Sequence, residues 1–197
     1  MPNPAAVYCE EQDGKVEIRT AEDGGQAGYC IFADGSECEE WAFFRGECAP
    51  GGVYQPLDAE TCGALADAMT QTLGVEVVTE QAPFQDYIGG GFGVGCQMTA
   101  RGSGLDFESF PVVAEALKAM LGEGGWEEDI QYAADGPTGT ASGLRQANGL
   151  CLMRVNWNPA EDANCPADQP IAVCDLAPEQ KLYEIVLHCA QDRSAGP

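Results

Sequence analysis

The sequence predicts an α+β protein. A small disulfide-rich helix-hairpin-helix domain should be followed by a larger domain with two helices packed on one face of an antiparallel sheet. Three observations predict this. Ten cysteines split four and six around Ala49-Pro50-Gly51-Gly52, a cluster that breaks regular structure. Two helical stretches of 3.6-residue apolar periodicity lie in the larger part, and several segments there alternate apolar and polar residues with period two. Even cysteine counts let each part close its own bridges. The expected domains are therefore residues 1–50 and 57–190, with residues 191–197 as a C-terminal tail.

In the small domain, Asn3 is placed to cap a short helix with Pro4 at its first position. Val16, Ile18 and Thr20 alternate with Glu17 and Arg19 as a half-exposed strand. Asp23-Gly24-Gly25 is turn chemistry, and the segment from Tyr29 to Phe32 returns as the second strand. Asp34-Gly35 turns again, and Ser36 is expected to cap a helix carrying Trp41, Phe43 and Phe44. About 50 residues bury little apolar surface, so two disulfide staples are physically reasonable there.

In the larger domain, Asp58 is expected to cap a helix bearing Cys62, Leu65, Ala66, Met69 and Leu73, with Gly74 after it. Ser109 is expected to cap a second, with Phe110, Val113, Leu117, Met120 and Leu121 on one face. Val94, Cys96, Met98 and Ala100 should point inward from one strand, and Trp126, Ile130 and Tyr132 should share one face of another. Ala147-Asn148-Gly149 reads as a hairpin turn feeding Cys151, Met153, Val155 and Trp157. The last strand buries Tyr183, Ile185, Leu187 and Cys189.

No C-x-x-C occurs, so neither a zinc knuckle nor a thioredoxin-like motif has a starting point. Five disulfides and an oxidising, extracytoplasmic location are expected: secreted, periplasmic or lipid-anchored at the cell surface. The expected pairs are Cys9–Cys38 and Cys30–Cys48, with Cys9–Cys48 and Cys30–Cys38 as the rival set. In the larger domain, Cys62–Cys96 would pin helix to sheet. Cys151–Cys189 would join the last two strands if Trp157 faces Tyr183, and Cys165–Cys174 would close the loop between them. The polar start Met1-Pro2-Asn3-Pro4 has neither a basic region nor an apolar core. The expectation is a leader removed or lying before Met1, with an upstream lipid anchor as an option.

Charge narrows the partners. Lys and Arg number 9 against 32 Asp and Glu, a net charge of −23. Such a polyanion repels nucleic acid. No run of about 18 apolar residues exists to cross a membrane as a helix.

Residues 3–48 carry an ordered set: Asn3-Pro4-Ala5, Tyr8-Cys9, Gly28 to Cys30, Asp34-Gly35-Ser36, Cys38-Glu39-Glu40-Trp41 and Arg45-Gly46-Glu47-Cys48. This pattern resembles the small cysteine-rich domain of unknown function in bacterial lipoproteins often labelled haemolysins. The resemblance covers about a quarter of the chain and implies an exported, often lipid-anchored bacterial protein. It implies no activity. The familiar form often has Phe-Pro-Asp-Gly where Phe32-Ala33-Asp34-Gly35 stands here, a change in a turn.

No catalytic constellation is legible. His188, the single imidazole, is expected on the outward face of the last strand with Glu184 and Val186. Gly89-Gly90-Gly91-Phe92-Gly93-Val94-Gly95 matches no phosphate-binding pattern and reads as a flexible hairpin loop, with Phe84, Tyr87 and Phe92 as a candidate partner patch. Asn156, Asn158, Glu161, Asp162, Asn164 and Asp168 crowd one loop, where Asn158, Asp162 and Asn164 are weak calcium candidates. No cofactor is implied. The leading expectation is a non-enzymatic envelope or surface module binding a protein or cell-surface partner. The alternative is a secreted protease inhibitor presenting the Cys30–Cys38 loop at Phe32, Ala33 and Asp34. A hydrolase without an identifiable site comes third.

Overall fold

The computed structural model describes residues 3–20, 25–32, 36–46, 48, 53–166, 170–171 and 174–193. The chain divides into two compact units. One comprises Met1–Gln55 with Pro83–Val94, and the other comprises Pro56–Ala82 with Gly95–Pro197.

The first unit opens with α1 (Pro4–Glu11), where the Asn3 side chain accepts from the Ala5 amide. Strands β1 (Lys15–Thr20) and β2 (Gln26–Ile31) pair antiparallel, with Val16 opposite Cys30. A third strand, β3 (Glu37–Glu39), pairs with β2 and sets Cys38 opposite Cys30. Helix α2 (Glu40–Phe44) follows, its Ala42 amide bonded to the Glu39 carboxylate. The expected helix-hairpin-helix is therefore a helix, a three-stranded meander and a helix. Ser36 caps no helix: it precedes β3, and its carbonyl accepts from the Phe32 amide. The Asp23-Gly24 part of the first turn lies outside the described residues. Cys9, Cys30, Phe32, Cys38 and Phe43 form this unit's core.

The disulfides here are Cys9–Cys30 and Cys38–Cys48, with Cα separations of 5.7 and 5.8 Å. They replace the expected Cys9–Cys38 and Cys30–Cys48. The physical reason is β3. With Cys38 on a strand instead of a helix, Cys30 lies beneath Cys9 of α1, and Cys38 is left for the chain returning after α2. Gly14 permits the first bridge, because a Cβ there would press into the sulfurs of Cys9 and Cys30. Further along, β4 (Tyr54–Pro56) sets Tyr54 parallel to Gly93.

The second unit is built on long antiparallel strands. Helix α3 (Ala59–Leu73) starts where Asp58 accepts from the Thr61 amide and hydroxyl, and it stops at Gly74 with φ +70°. Strands β5 (Val77–Gln85) and β6 (Phe92–Ser103) follow, then α4 (Phe110–Glu123). Ser109 occupies the cap position of α4, but its side chain makes no capping bond. Strands β7 (Glu127–Gly136), β8 (Gly139–Gln146), β9 (Gly149–Pro159) and β10 (Lys181–Asp192) complete the sheet. Short β4 aside, the order is β5-β6-β10-β9-β8-β7, with β10 paired to both β6 and β9.

Period-two alternation sends Cys96, Met98 and Ala100, Cys151, Met153, Val155 and Trp157, and Tyr183, Ile185, Leu187 and Cys189 into one core. There they meet Met69 of α3 and Val113, Leu117 and Leu121 of α4. Both helices thus cover the same face of the sheet. Cys62–Cys96 joins α3 to β6, Cys151–Cys189 joins β9 to β10, and Cys165–Cys174 closes part of the connection between those strands. Ile130 departs from its expected face and is 81% exposed. The pairing of β7 with β8 shifts register between Asp129 and Ala134, so strict alternation fails across that bulge.

Candidate functional site

The two short helices of the first unit each use one face for the disulfide core and leave another uncovered. On α1, Ala5 and Cys9 are one turn apart and fully buried, while Val7 is 36% exposed and Tyr8 lies at the edge. On α2, Glu40 and Phe43 point inward, and Trp41 and Phe44 are 40% and 44% exposed. The rings form a continuous path. Phe32 and Phe43 lie 5.0 Å apart between centroids, as do Phe43 and Tyr8; Tyr8 and Phe44 are 5.6 Å apart, and Phe44 and Trp41 are 5.8 Å apart. The last two contacts are edge-on, at 86° and 83°. The inner end of this path anchors the outer end, so Phe44 and Trp41 are held in place although water reaches them.

Beneath the patch lies a buried polar contact. The Asn3 amide donates to the Glu40 carboxylate, tying the cap of α1 to the first residue of α2. Glu40 is almost fully buried against Gly28, where any Cβ would collide with its carboxyl group. Among the described residues, its second oxygen is buried and has no hydrogen-bond partner. Asn3, Gly28 and Glu40 therefore act together: one caps, one makes room, and one links the helices whose outer faces build the patch. The sequence contained all of these residues, but it gave no spacing that brings residues 3, 28 and 40 to one point.

A second arrangement surrounds the glycine-rich segment. Asp86 is buried, and one carboxylate oxygen accepts the Ile88 and Gly89 amides at 3.0 and 2.7 Å. The other accepts the Tyr54 hydroxyl at 2.8 Å, and Tyr54 packs on the Phe84 ring. Backbone bonds from Gly90 to the Asp86 carbonyl and from Asp86 to the Gly91 carbonyl close the turn. A Cβ at Gly91 would enter the Tyr54 ring, and one at Gly93 would strike the Tyr54 carbonyl. The expected flexible loop is instead a turn packed around one carboxylate. Of the three aromatic residues expected as a patch there, Phe84 is buried, Phe92 is half-buried and Tyr87 is largely exposed.

The remaining candidates separate. Phe32 is only 7% exposed and belongs to the core, so it is not displayed as an inhibitor residue; Ala33 and Asp34 lie outside the described residues. The two cysteines that flank the loop, Cys30 and Cys38, are bonded to Cys9 and Cys48. Asn158 is on β9 opposite Leu182, and Asp162 and Asn164 follow it, all three exposed. Asp168 lies outside the described residues. Among the described residues, no group of three or more His, Cys, Asp or Glu could hold a metal ion. His188 is half-buried between Gln97 of β6 and Leu152 of β9. Burial lowers its pKa below the ordinary imidazole value, opposed by backbone hydrogen bonds at Ala82 and Gly95 and by Glu80. Its neighbour Val186 is buried, so the outward face of β10 is less open than alternation implies.

Comparison with known families points to the patch-bearing unit. Residues 1–47 match the family model described as Domain of unknown function (DUF333). The motif residues Asn3, Gly28, Glu40 and Trp41 all fall in the matched segment. That family is commonly labelled a haemolysin-like lipoprotein segment. No curated protein and no solved structure matches the chain. No helix among the described residues is long and apolar enough to cross a membrane.

Proposed function

We propose that this chain is an exported bacterial envelope or surface protein, a non-enzymatic interaction module whose small unit meets a protein partner through Val7, Tyr8, Trp41 and Phe44. The observation that carries the reading is the exposed end of the aromatic path. Large aromatic side chains held rigidly at a surface lose little conformational freedom on binding and supply most of the energy at protein interfaces. Five disulfides favour an oxidising compartment. The small unit's family likeness adds a lipid-anchored origin upstream.

The test is a photo-crosslinking amino acid at position 41 in the producing cells, with position 63, an exposed site on α3, as control. The reading requires a discrete adduct from position 41 that disappears when Phe44→Ser is added. Equal labelling from both positions, or an adduct indifferent to Phe44, would remove the patch as the contact surface.

A further inference from the structure

Resting on the reading of Val7, Tyr8, Trp41 and Phe44 as a contact surface, we infer that its occupant is a basic peptide segment or protein surface, with arginine and apolar side chains interleaved. The argument is charge complementarity at the patch and around it. Glu10 and Glu11 are exposed on α1, and helical spacing puts Glu10 three residues beyond Val7 and Glu11 four beyond it. Neither takes part in a salt bridge among the described residues. Glu37, Glu39 and Glu40 are already engaged. Glu37 binds Arg19 through two contacts of 2.9 and 2.6 Å, Glu39 caps α2, and Glu40 is buried against Asn3. Arg45, the exposed residue that ends α2, is a cation four residues beyond Trp41.

Residues 1–50 hold 3 basic and 11 acidic side chains, so the exposed Glu10 and Glu11 carboxylates sit in a field of −8 from the segment and −23 from the chain. That field disfavours a second copy of this chain, an anionic lipid surface and an acidic protein. It favours an approaching cation, and the open Trp41 and Phe44 rings offer π faces that attract a guanidinium. Apolar side chains of the same partner would cover Val7 and Tyr8.

The probe is a fluorescent peptide alternating arginine with leucine, compared with one alternating glutamate with leucine, followed by anisotropy on the full chain. The arginine peptide binds and the glutamate peptide does not. Raising salt from about 20 to about 300 mM weakens binding by about tenfold or more. The Trp41→Ser/Phe44→Ser variant loses at least about tenfold, a scale set by interface aromatic residues, and Glu10→Gln/Glu11→Gln loses several-fold; unchanged far-ultraviolet circular dichroism shows that both variants are folded. If the arginine peptide binds the aromatic variant as tightly as the parent, attraction is diffuse and the inference is overturned. Equal binding of the glutamate peptide also overturns it. A position-41 crosslink in cells without any arginine-peptide binding would retain the contact surface and discard the basic partner.

Discussion

Cys151 and Cys189 stand directly opposite each other across β9 and β10, with Cα atoms 4.0 Å apart and both side chains fully buried. The same register places Trp157 beside Tyr183, so one pairing fixes eleven residues on each strand. β10 also pairs with β6, setting Cys189 opposite Cys96, which bonds Cys62 of α3. The central strand is thus held from both sides, and a disulfide stands at the same level on each.

Replacing both Cys151 and Cys189 by Ala should lower stability by about 2–5 kcal/mol. The strands would keep their pairing, because the alternating core residues that define the register remain. Denaturant unfolding with intact-mass analysis checks this. A variant with an unchanged midpoint would mean that the bridge does not constrain the unfolded chain.

His188 gives a pH dependence of known sign. Burial lowers its folded-state pKa, so the unfolded chain binds the proton more readily than the folded one. Its contribution to stability is fully present above the ordinary imidazole value of about 6.5 and is lost as pH falls from there toward the lowered folded value. The parent should therefore lose stability relative to His188→Gln between about pH 7.5 and about pH 5. Parallel thermal melts measure the difference. A gap that narrows in the opposite direction would contradict the burial of His188.

Gly93→Ala should destabilise the first unit by about 1–3 kcal/mol. The new methyl group would meet the Tyr54 carbonyl, and backbone cannot rotate away as a side chain can. Asp86→Ala should cost a similar amount by a different route, since the Tyr54 hydroxyl and the Ile88 and Gly89 amides lose their acceptor. Chemical denaturation of each variant checks both expectations. A neutral Asp86→Ala would show that water replaces the carboxylate without loss.

Legibility followed the strength of the local pattern. The register of β9 and β10 was readable because eight core residues alternate cleanly and cysteines close both strands at matching positions. The cap at Asp58 was readable because the rule is local: Thr61 lies three residues away and supplies both donors. β3 was not readable, since three residues carry too little alternation to separate a strand from the start of a helix. That error alone exchanged the partners of Cys30 and Cys38. The Asp86 turn was hidden for a related reason. Its glycines give freedom in sequence, and only the fold shows that Tyr54 and a buried carboxylate fill the space. The patch was hidden because Trp41, Phe43 and Phe44 look alike as apolar residues, while a five-residue helix buries only one of the three.

The central claim is that Cys9–Cys30 and Cys38–Cys48 hold α1 and α2 so that Tyr8 meets Phe44 and the patch is complete. Peptide mapping without reduction tests it most directly. Cleavage at acidic residues can part Cys30 from Cys38 at Asp34 or Glu37, and Cys38 from Cys48 at Glu39 or Glu40. The account predicts one linked pair of fragments holding Cys9 and Cys30 and another holding Cys38 and Cys48. Fragments linking Cys9 to Cys38 or Cys48, or any of these four to a cysteine beyond residue 60, would contradict it.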